Sequence, residues 1–171
     1  MEETLEKRFL EDIVSCRGIL LKICRTYCWE PEDRDDLYQE IVSNAWKSYS
    51  RFEGRSKFST WLYRVALNTA LSESRKNRFQ RSTTDLNAVE NHPEVNNDQE
   101  QIQLLYRAIG QLDPQEKSLA ILYLDELSYR EIAEVTGLTE NHVGVRLHRI
   151  KEKIRAMFGR YEKEGGSWNE K

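Results

Sequence analysis

Arginine, histidine and asparagine side chains crowd between positions 141 and 149 of this 171-residue chain, where they could contact DNA. Arginine reaches phosphates and guanine edges, and small residues let a helix backbone approach the bases in the major groove. An ordinary helical hairpin with a solvated basic face is the alternative. The residues that we expect to contact duplex DNA are Arg130, Asn141, His142, Gly144, Val145, Arg146, His148 and Arg149.

Local signals place these side chains on the second helix of a helix-turn-helix. Ser128 and Glu131 have the spacing of a capping box for a first helix, and Gly137 suits the sharp turn that follows. Thr139 can cap the second helix. The inward stripe of that helix recurs at i, i+4 and i+7, at Val143, Leu147 and Ile150.

A second candidate for nucleic-acid contact is the segment from 51 to 68, which is rich in basic and aromatic residues. Residues 51–81 carry eight bases against two acids. A charged groove with aromatic platforms, on which bases stack, is the arrangement that binds single-stranded DNA. The alternative is that Phe52, Phe58 and Trp61 are core residues and that the basic side is merely solvated.

The net charge of −3 conceals this alternation of basic and acidic blocks. Residues 82–101 carry five acids and no base, whereas residues 141–160 carry six bases against one acid. The local field, and not the net charge, steers a phosphate backbone. Another acidic group, at Asp35, Asp36 and Glu40, is read from the residues alone as a solvated helix end.

No catalytic constellation is recognisable: we find no glycine-rich phosphate loop, no Gly-x-Ser-x-Gly and no His-Glu-x-x-His. We therefore expect a protein that is not an enzyme and needs no cofactor or metal. Cys16, Cys24 and Cys28 have no histidine nearby, so we interpret them as structural. With no secretory signal and no apolar run of about 18 residues, we expect a cytoplasmic protein without membrane insertion.

Helical periodicity recurs along the whole chain, and the predicted fold class is all-α. We expect one or two helices over 4–28, one over 33–49 with Pro31 at its start, and one from Ser59 or Thr60 to about Arg78. The predicted organisation is two small helical domains, 1–81 and 102–160, joined by a flexible acidic linker at 82–101 and followed by a tail at 161–171. The C-terminal domain contains the helix-turn-helix.

Four stretches, in this order and spacing, resemble the extracytoplasmic-function class of bacterial sigma factors of the sigma-70 family. Asp36–Ile41 with Trp46 is similar to that family's polymerase-binding helix, and Phe58–Asn68 to its promoter-melting segment. Leu112–Glu116 and then Leu127–Arg149 resemble the start and the helix-turn-helix of its C-terminal domain.

The resemblance implies a sigma factor that binds core RNA polymerase, through the β′ clamp and β subunits, and directs promoter-specific initiation. It implies that the residues named above for duplex DNA recognise the −35 element. It also implies that a separate anti-sigma factor binds the protein and that the free protein is monomeric. The residues implied in polymerase binding are Asp35, Asp36, Leu37, Gln39, Glu40 and Ile41. Those implied in capture of the melted −10 strand are Arg51, Arg55, Lys57, Phe58, Ser59, Thr60, Trp61, Arg64 and Asn68.

Gly144 and Val145 depart from the family pattern, which often has a basic or small polar residue there. Glycine within a helix costs about 1 kcal/mol relative to alanine, so we expect close backbone approach or contact with thymine methyls at this point. Two other classes stay open. A dimeric helix-turn-helix regulator would bind duplex DNA without polymerase, and an adaptor or anti-sigma partner would bind polymerase without DNA.

Overall fold

The computed structural model describes the backbone of residues 2–81 and 97–163, and the side chains of residues 5–76 and 102–160. Every regular element in these ranges is an α-helix, as predicted. The first four are α1 (Glu2–Ser15), α2 (Arg17–Tyr27), α3 (Pro31–Tyr49) and α4 (Phe58–Arg81). The second four are α5 (Asn97–Gly110), α6 (Pro114–Leu124), α7 (Tyr129–Thr136) and α8 (Glu140–Lys163).

The chain divides into two compact units, the first containing α1–α4 and the second built chiefly from α5–α8. None of the helices in the described ranges is long and apolar enough to cross a membrane.

The core of the first unit lies where α2, α3 and α4 pack on one another. Leu20, Ile23, Ile41 and Leu62 are fully buried there, and each contributes about 1.5–3 kcal/mol by leaving water. Two polar contacts fix how the helices pack. The Tyr49 hydroxyl of α3 donates to Asp12 Oδ2 of α1 over 2.6 Å. The Asn44 amide of α3 donates to Thr69 Oγ1 of α4 over 3.3 Å.

The second unit is organised by strong helix starts. Asp113 Oδ1 accepts from the backbone N–H groups of Gln115 and Glu116, each over 2.9 Å, and Glu116 Oε2 accepts from the Asp113 N–H. This is a complete capping box, and Pro114 occupies the first helical position. The α6 helix that it begins packs on α8, and the buried side chains there are Leu119, Leu122, Val143, Leu147 and Ile150.

Helix ends differ from the predicted ones at three places. The Pro31 start signal sets the first residue of α3, two positions before the predicted start, and α4 already begins at Phe58. The α5 helix begins at Asn97, inside the predicted linker. The rest of that linker, 82–96, and the tail from 164 onward lie outside the described residues.

The three cysteines are free thiols, two of them half-buried and one, Cys24, buried on α2. Burial raises the pKa of the Cys24 thiol to about 12, since the low-dielectric interior disfavours the thiolate. Among the described residues, no group of three or more histidine, cysteine, aspartate or glutamate side chains could hold a metal ion. The burial of Cys24 fits a structural role for that residue.

Replacing Gly137 by alanine should destabilise the second unit by about 1–2 kcal/mol, because the residue has φ +74° and an L side chain is strained there. Gly159→Ala is the matched control. Neither glycine has an atom within 4 Å of a built Cβ, but Gly159 lies within α8 without positive φ. That control should instead stabilise by about 1 kcal/mol. Denaturant unfolding followed by circular dichroism measures the free energy of unfolding of both variants. Equal effects of the two substitutions would contradict the positive φ assigned to Gly137.

Alkylation of the native protein at pH 8 should modify Cys16 and Cys28 well before Cys24. With a pKa of about 12, only about one Cys24 thiol in ten thousand is ionised at that pH. Peptide mapping by mass spectrometry after timed quenching reads each site, and in denaturant the three rates should converge. Native labelling of Cys24 as fast as Cys16 would show that the thiol is not buried.

Candidate nucleic-acid interface

The helix-turn-helix forms by the local contacts that its sequence predicts. Glu131 Oε2 accepts from the Ser128 N–H over 2.9 Å, and the Glu131 N–H donates to Ser128 Oγ over 3.3 Å. Gly137 makes the turn with positive φ, and Thr139 Oγ1 accepts from the His142 N–H over 3.3 Å. The predicted caps of α7 and α8 are therefore confirmed.

Burial of the predicted inward stripe leaves the expected DNA-contacting side chains on the surface. Val143, Leu147 and Ile150 are buried, and Arg130 of α7 is exposed. Gly144 is half-buried, which is the one departure in this set. The exposed residues of α8 are Asn141, His142, Val145, Arg146, His148 and Arg149.

Two of these exposed side chains have polar partners within the same unit. Arg146 Nη1 donates to Gln115 Oε1 over 3.3 Å, and His148 Nε2 lies 3.5 Å from Glu152 Oε1. Exposed pairs of this kind contribute little free energy, because both partners are well solvated. Either side chain can therefore exchange its partner for a phosphate or a base edge at little cost.

Tyr129 is a surface residue that the sequence analysis missed. Its ring lies beside Gly144, with Cε2 3.4 Å from the point where a Cβ on that glycine would be. Together with Val145 it lines an open pocket of about 490 Å³ at the start of α8. The available signal was the helical glycine, because a glycine within a helix often marks close approach of another group.

An aromatic cluster joins the end of α3, the following loop and the start of α4. The ring centroids of Phe52 and Trp61 are 5.1 Å apart, those of Phe58 and Trp61 5.3 Å, and that of Tyr49 lies within 6.3 Å of each of these rings. Phe52, Phe58 and Trp61 are half-buried. The rings pack on one another, and each keeps surface that could contact a base, so contact with single-stranded DNA stays a prediction.

Basic and polar side chains surround this cluster on its solvent side. Arg64 and Asn68 lie one turn apart on α4 and are both exposed, and Ser59 is half-buried. Thr60 differs from these residues: it is only 8% exposed, because it continues the inward stripe of Tyr63 and Leu67. It therefore has little surface with which to contact DNA. The exposed bases of the preceding loop are Arg51, Arg55 and Lys57.

The acidic side of α3 also divides by helical periodicity. Leu37 and Ile41 are 5% and 0% exposed, since they form one inward stripe with Ala45. Their assignment to the polymerase-binding surface stays a prediction, and burial leaves these two residues little apolar area for a partner to contact. The polar members of that predicted surface are all exposed, namely Asp35, Asp36, Gln39 and Glu40.

An apolar groove of about 410 Å³ lies between α1 and α3, and Gln39 is the member of that predicted surface that lines it. Leu10 and Trp46, which line it, are exposed, and Val42 is half-buried. The sequence analysis missed Leu10, because its periodicity alone did not distinguish the core side of α1 from a second apolar side.

Two family models match separate parts of the chain. The model of Sigma-70 region 2 matches residues 13–80, which include α2, α3 and nearly all of α4. The model of Sigma-70 region 4 matches residues 102–154, which include the helix-turn-helix.

Similar proteins of known function are sigma factors. The ECF RNA polymerase sigma-E factor of Escherichia coli K12 is 32% identical over 138 residues, covering 71% of this chain and 72% of that protein. The ECF sigma factor SigG of Mycobacterium tuberculosis is 28% identical over 171 residues, covering 82% of this chain and 46% of that protein.

Solved structures show the same fold. The sigma factor RpoE of Bartonella quintana, in complex with the anti-sigma factor NepR, superposes with a TM-score of 0.74 at 20% identity, over 90% of this chain and 98% of that one. CnrH in complex with the cytosolic domain of CnrY superposes with a TM-score of 0.66 at 22% identity, over 90% of this chain and 89% of that one.

The family models and the similar sigma factors show that the chain belongs to the ECF class of sigma-70 family sigma factors. These are non-catalytic proteins that direct RNA polymerase to promoters, with region 2 recognising the −10 element and region 4 binding the −35 element.

Proposed function

We propose that the exposed acids of α3 and the groove beside them form the polymerase-docking surface. The observation that carries this proposal is that Gln39, one turn after Asp36 on α3, lines an open apolar groove together with Leu10 and Trp46. Acidic groups complement a basic coiled coil such as that of the β′ clamp and set its orientation. The groove supplies the apolar contact area that the buried Leu37 and Ile41 do not.

The segment that would capture the melted −10 strand is the aromatic cluster with its basic surroundings. Rings that pack on one another hold the loop between α3 and α4 in place, so little order must be gained when DNA binds. Exposed basic side chains on the loop and on α4 then contact phosphates. The exposed faces of Phe58 and Trp61 stack on unpaired nucleobases. Arg64 and Asn68 extend this surface along one side of α4.

For the −35 element, the proposed contacts come from the exposed side of α8 with Arg130 of α7. Arg146 and Arg149 carry the charge, and the small residue Gly144 lets the helix enter the major groove.

The proposed sigma-factor function also bears on the regulation and the cellular location of the protein. Solved structures with this fold include complexes with the anti-sigma factor NepR and with the cytosolic domain of CnrY. We infer a cytoplasmic protein that a separate anti-sigma factor restrains, that binds both the β′ clamp and the β subunit, and that is monomeric when free.

Transcription in vitro with core polymerase, on a pool of promoters from the host genome, should initiate specifically only when this protein is added. Asp36→Arg should abolish core binding in the same assay and in pull-down, because it places a cation against the basic partner. Glu11→Arg, an equally large charge change at an exposed position of α1 outside the groove lining, is the control and should initiate normally. Unimpaired core binding by the Asp36 variant would refute the docking surface.

Arg64→Ala should lower the affinity of the assembled holoenzyme for a single-stranded −10 oligonucleotide. The slope of log affinity against log salt should also decrease by about 0.7, the value for one phosphate contact on a single strand. Asn68→Ala should weaken binding without changing that slope, because the amide carries no charge. Fluorescence anisotropy at several salt concentrations measures both effects, and Arg17→Ala, at an exposed position of α2, should leave both quantities unchanged. Wild-type slopes in the Arg64 variant would contradict a phosphate contact.

A further inference from the structure

An apolar notch opens on the DNA-reading side of α8, one turn after the helix begins. Its base is the ring of Tyr129, whose Cε2 and Cδ2 atoms are 3.4 and 3.8 Å from the position of a Cβ built on Gly144. One wall is Val145. A methyl group at residue 144 would make ordinary van der Waals contact with the ring, so the glycine leaves a methyl-sized space open beside it.

Both apolar members of the notch face solvent in a surface that is otherwise polar. Val145 is 46% exposed and Tyr129 is 40% exposed, and each therefore presents apolar area that binding could remove from water. The remaining lining is polar: Asn141, His148 and Arg149 can donate hydrogen bonds around its edge, and the Glu140 carboxylate can accept them. An apolar spot bordered by donors and an acceptor is a site for a small apolar group carried by a polar ligand.

The major groove offers one such group. Base edges there present hydrogen-bond donors and acceptors, and the thymine C5-methyl is the apolar exception. Region 4 binds the −35 element, and α8 is the second helix of its helix-turn-helix, so the notch is continuous with a surface that meets duplex DNA. Because of this continuity, a base is a better occupant than an unrelated protein side chain.

We propose that Tyr129, Gly144 and Val145 form a receptor for one thymine methyl of the −35 element and so set the preference for thymine at that base pair. This inference rests on the proposed placement of α8 in the major groove. Arg149, beside the notch, contributes phosphate or guanine contact and does not depend on the methyl.

Uracil substitution isolates the methyl, since deoxyuridine differs from thymidine only by its absence. Once a promoter is known from the transcription assay, each thymine of its −35 element is replaced in turn, and holoenzyme affinity is measured at fixed salt. At one position the affinity should fall about fourfold, the value for one buried methylene-sized group. In a companion series with a cytosine–guanine pair at that position, 5-methylcytosine should bind more tightly than cytosine.

Variants of the notch should remove that discrimination. In Val145→Ala and Tyr129→Ala, the ratio of thymine to uracil affinity should approach one, whereas Tyr129→Phe keeps the ring and should keep the ratio. Arg149→Ala should weaken binding to both duplexes alike and preserve the ratio. Core binding and circular dichroism establish that each variant is folded.

Two results would overturn the inference. One is that no thymine-to-uracil replacement lowers the affinity, and the other is that both alanine variants keep the wild-type ratio of thymine to uracil affinity. If the holoenzyme initiates specifically and Arg149→Ala weakens promoter binding while uracil has no effect at any position, the notch alone is refuted. If the holoenzyme forms but Arg149→Ala also leaves promoter binding unchanged, the placement of α8 in the groove is refuted.

Discussion

The position of every DNA-facing side chain on α8 depends on one buried stripe. Val143, Leu147 and Ile150 anchor the helix on the core of the second unit, and each contributes about 1.5–3 kcal/mol by leaving water. Rotating the helix by one residue, about 100°, would expose these groups and bury charged ones. The apolar core therefore sets the register of the surface that reads DNA, although none of its members faces DNA.

The first unit places two surfaces of opposite charge along one continuous piece of chain. The acids at the start of α3 form the proposed polymerase-docking surface, and the aromatic cluster begins at Tyr49, the last residue of the same helix. The hydrogen bond from Tyr49 to Asp12 and that from Asn44 to Thr69 hold α3 against its neighbours. In the proposed docking, a rigid α3 would transmit the orientation set by polymerase to the loop that would hold melted DNA.

The local distribution of charge in this protein indicates its binding partners, whereas the net charge does not. The net charge of −3 would argue against nucleic-acid binding if it were spread evenly. Folding instead keeps the acids of α3 exposed on the first unit and the basic residues of α8 exposed on the second, where each group would face a partner of the opposite sign. Exposed pairs such as His148 with Glu152 are weak enough to be replaced when that partner arrives.

Sequence alone determined the helical class, the capped starts at Asp113, Ser128 and Thr139, and the turn at Gly137, because these depend on contacts within a few residues. It also identified the inward stripe of α8, since periodicity reports which side of a helix is apolar. Periodicity could not say what covers an apolar residue. Leu37 and Ile41 lie in the core while Leu10 and Trp46 line an open groove, and Tyr129 rests against a glycine fifteen positions away. Only packing between helices decides such contacts, because they join residues that no local pattern relates.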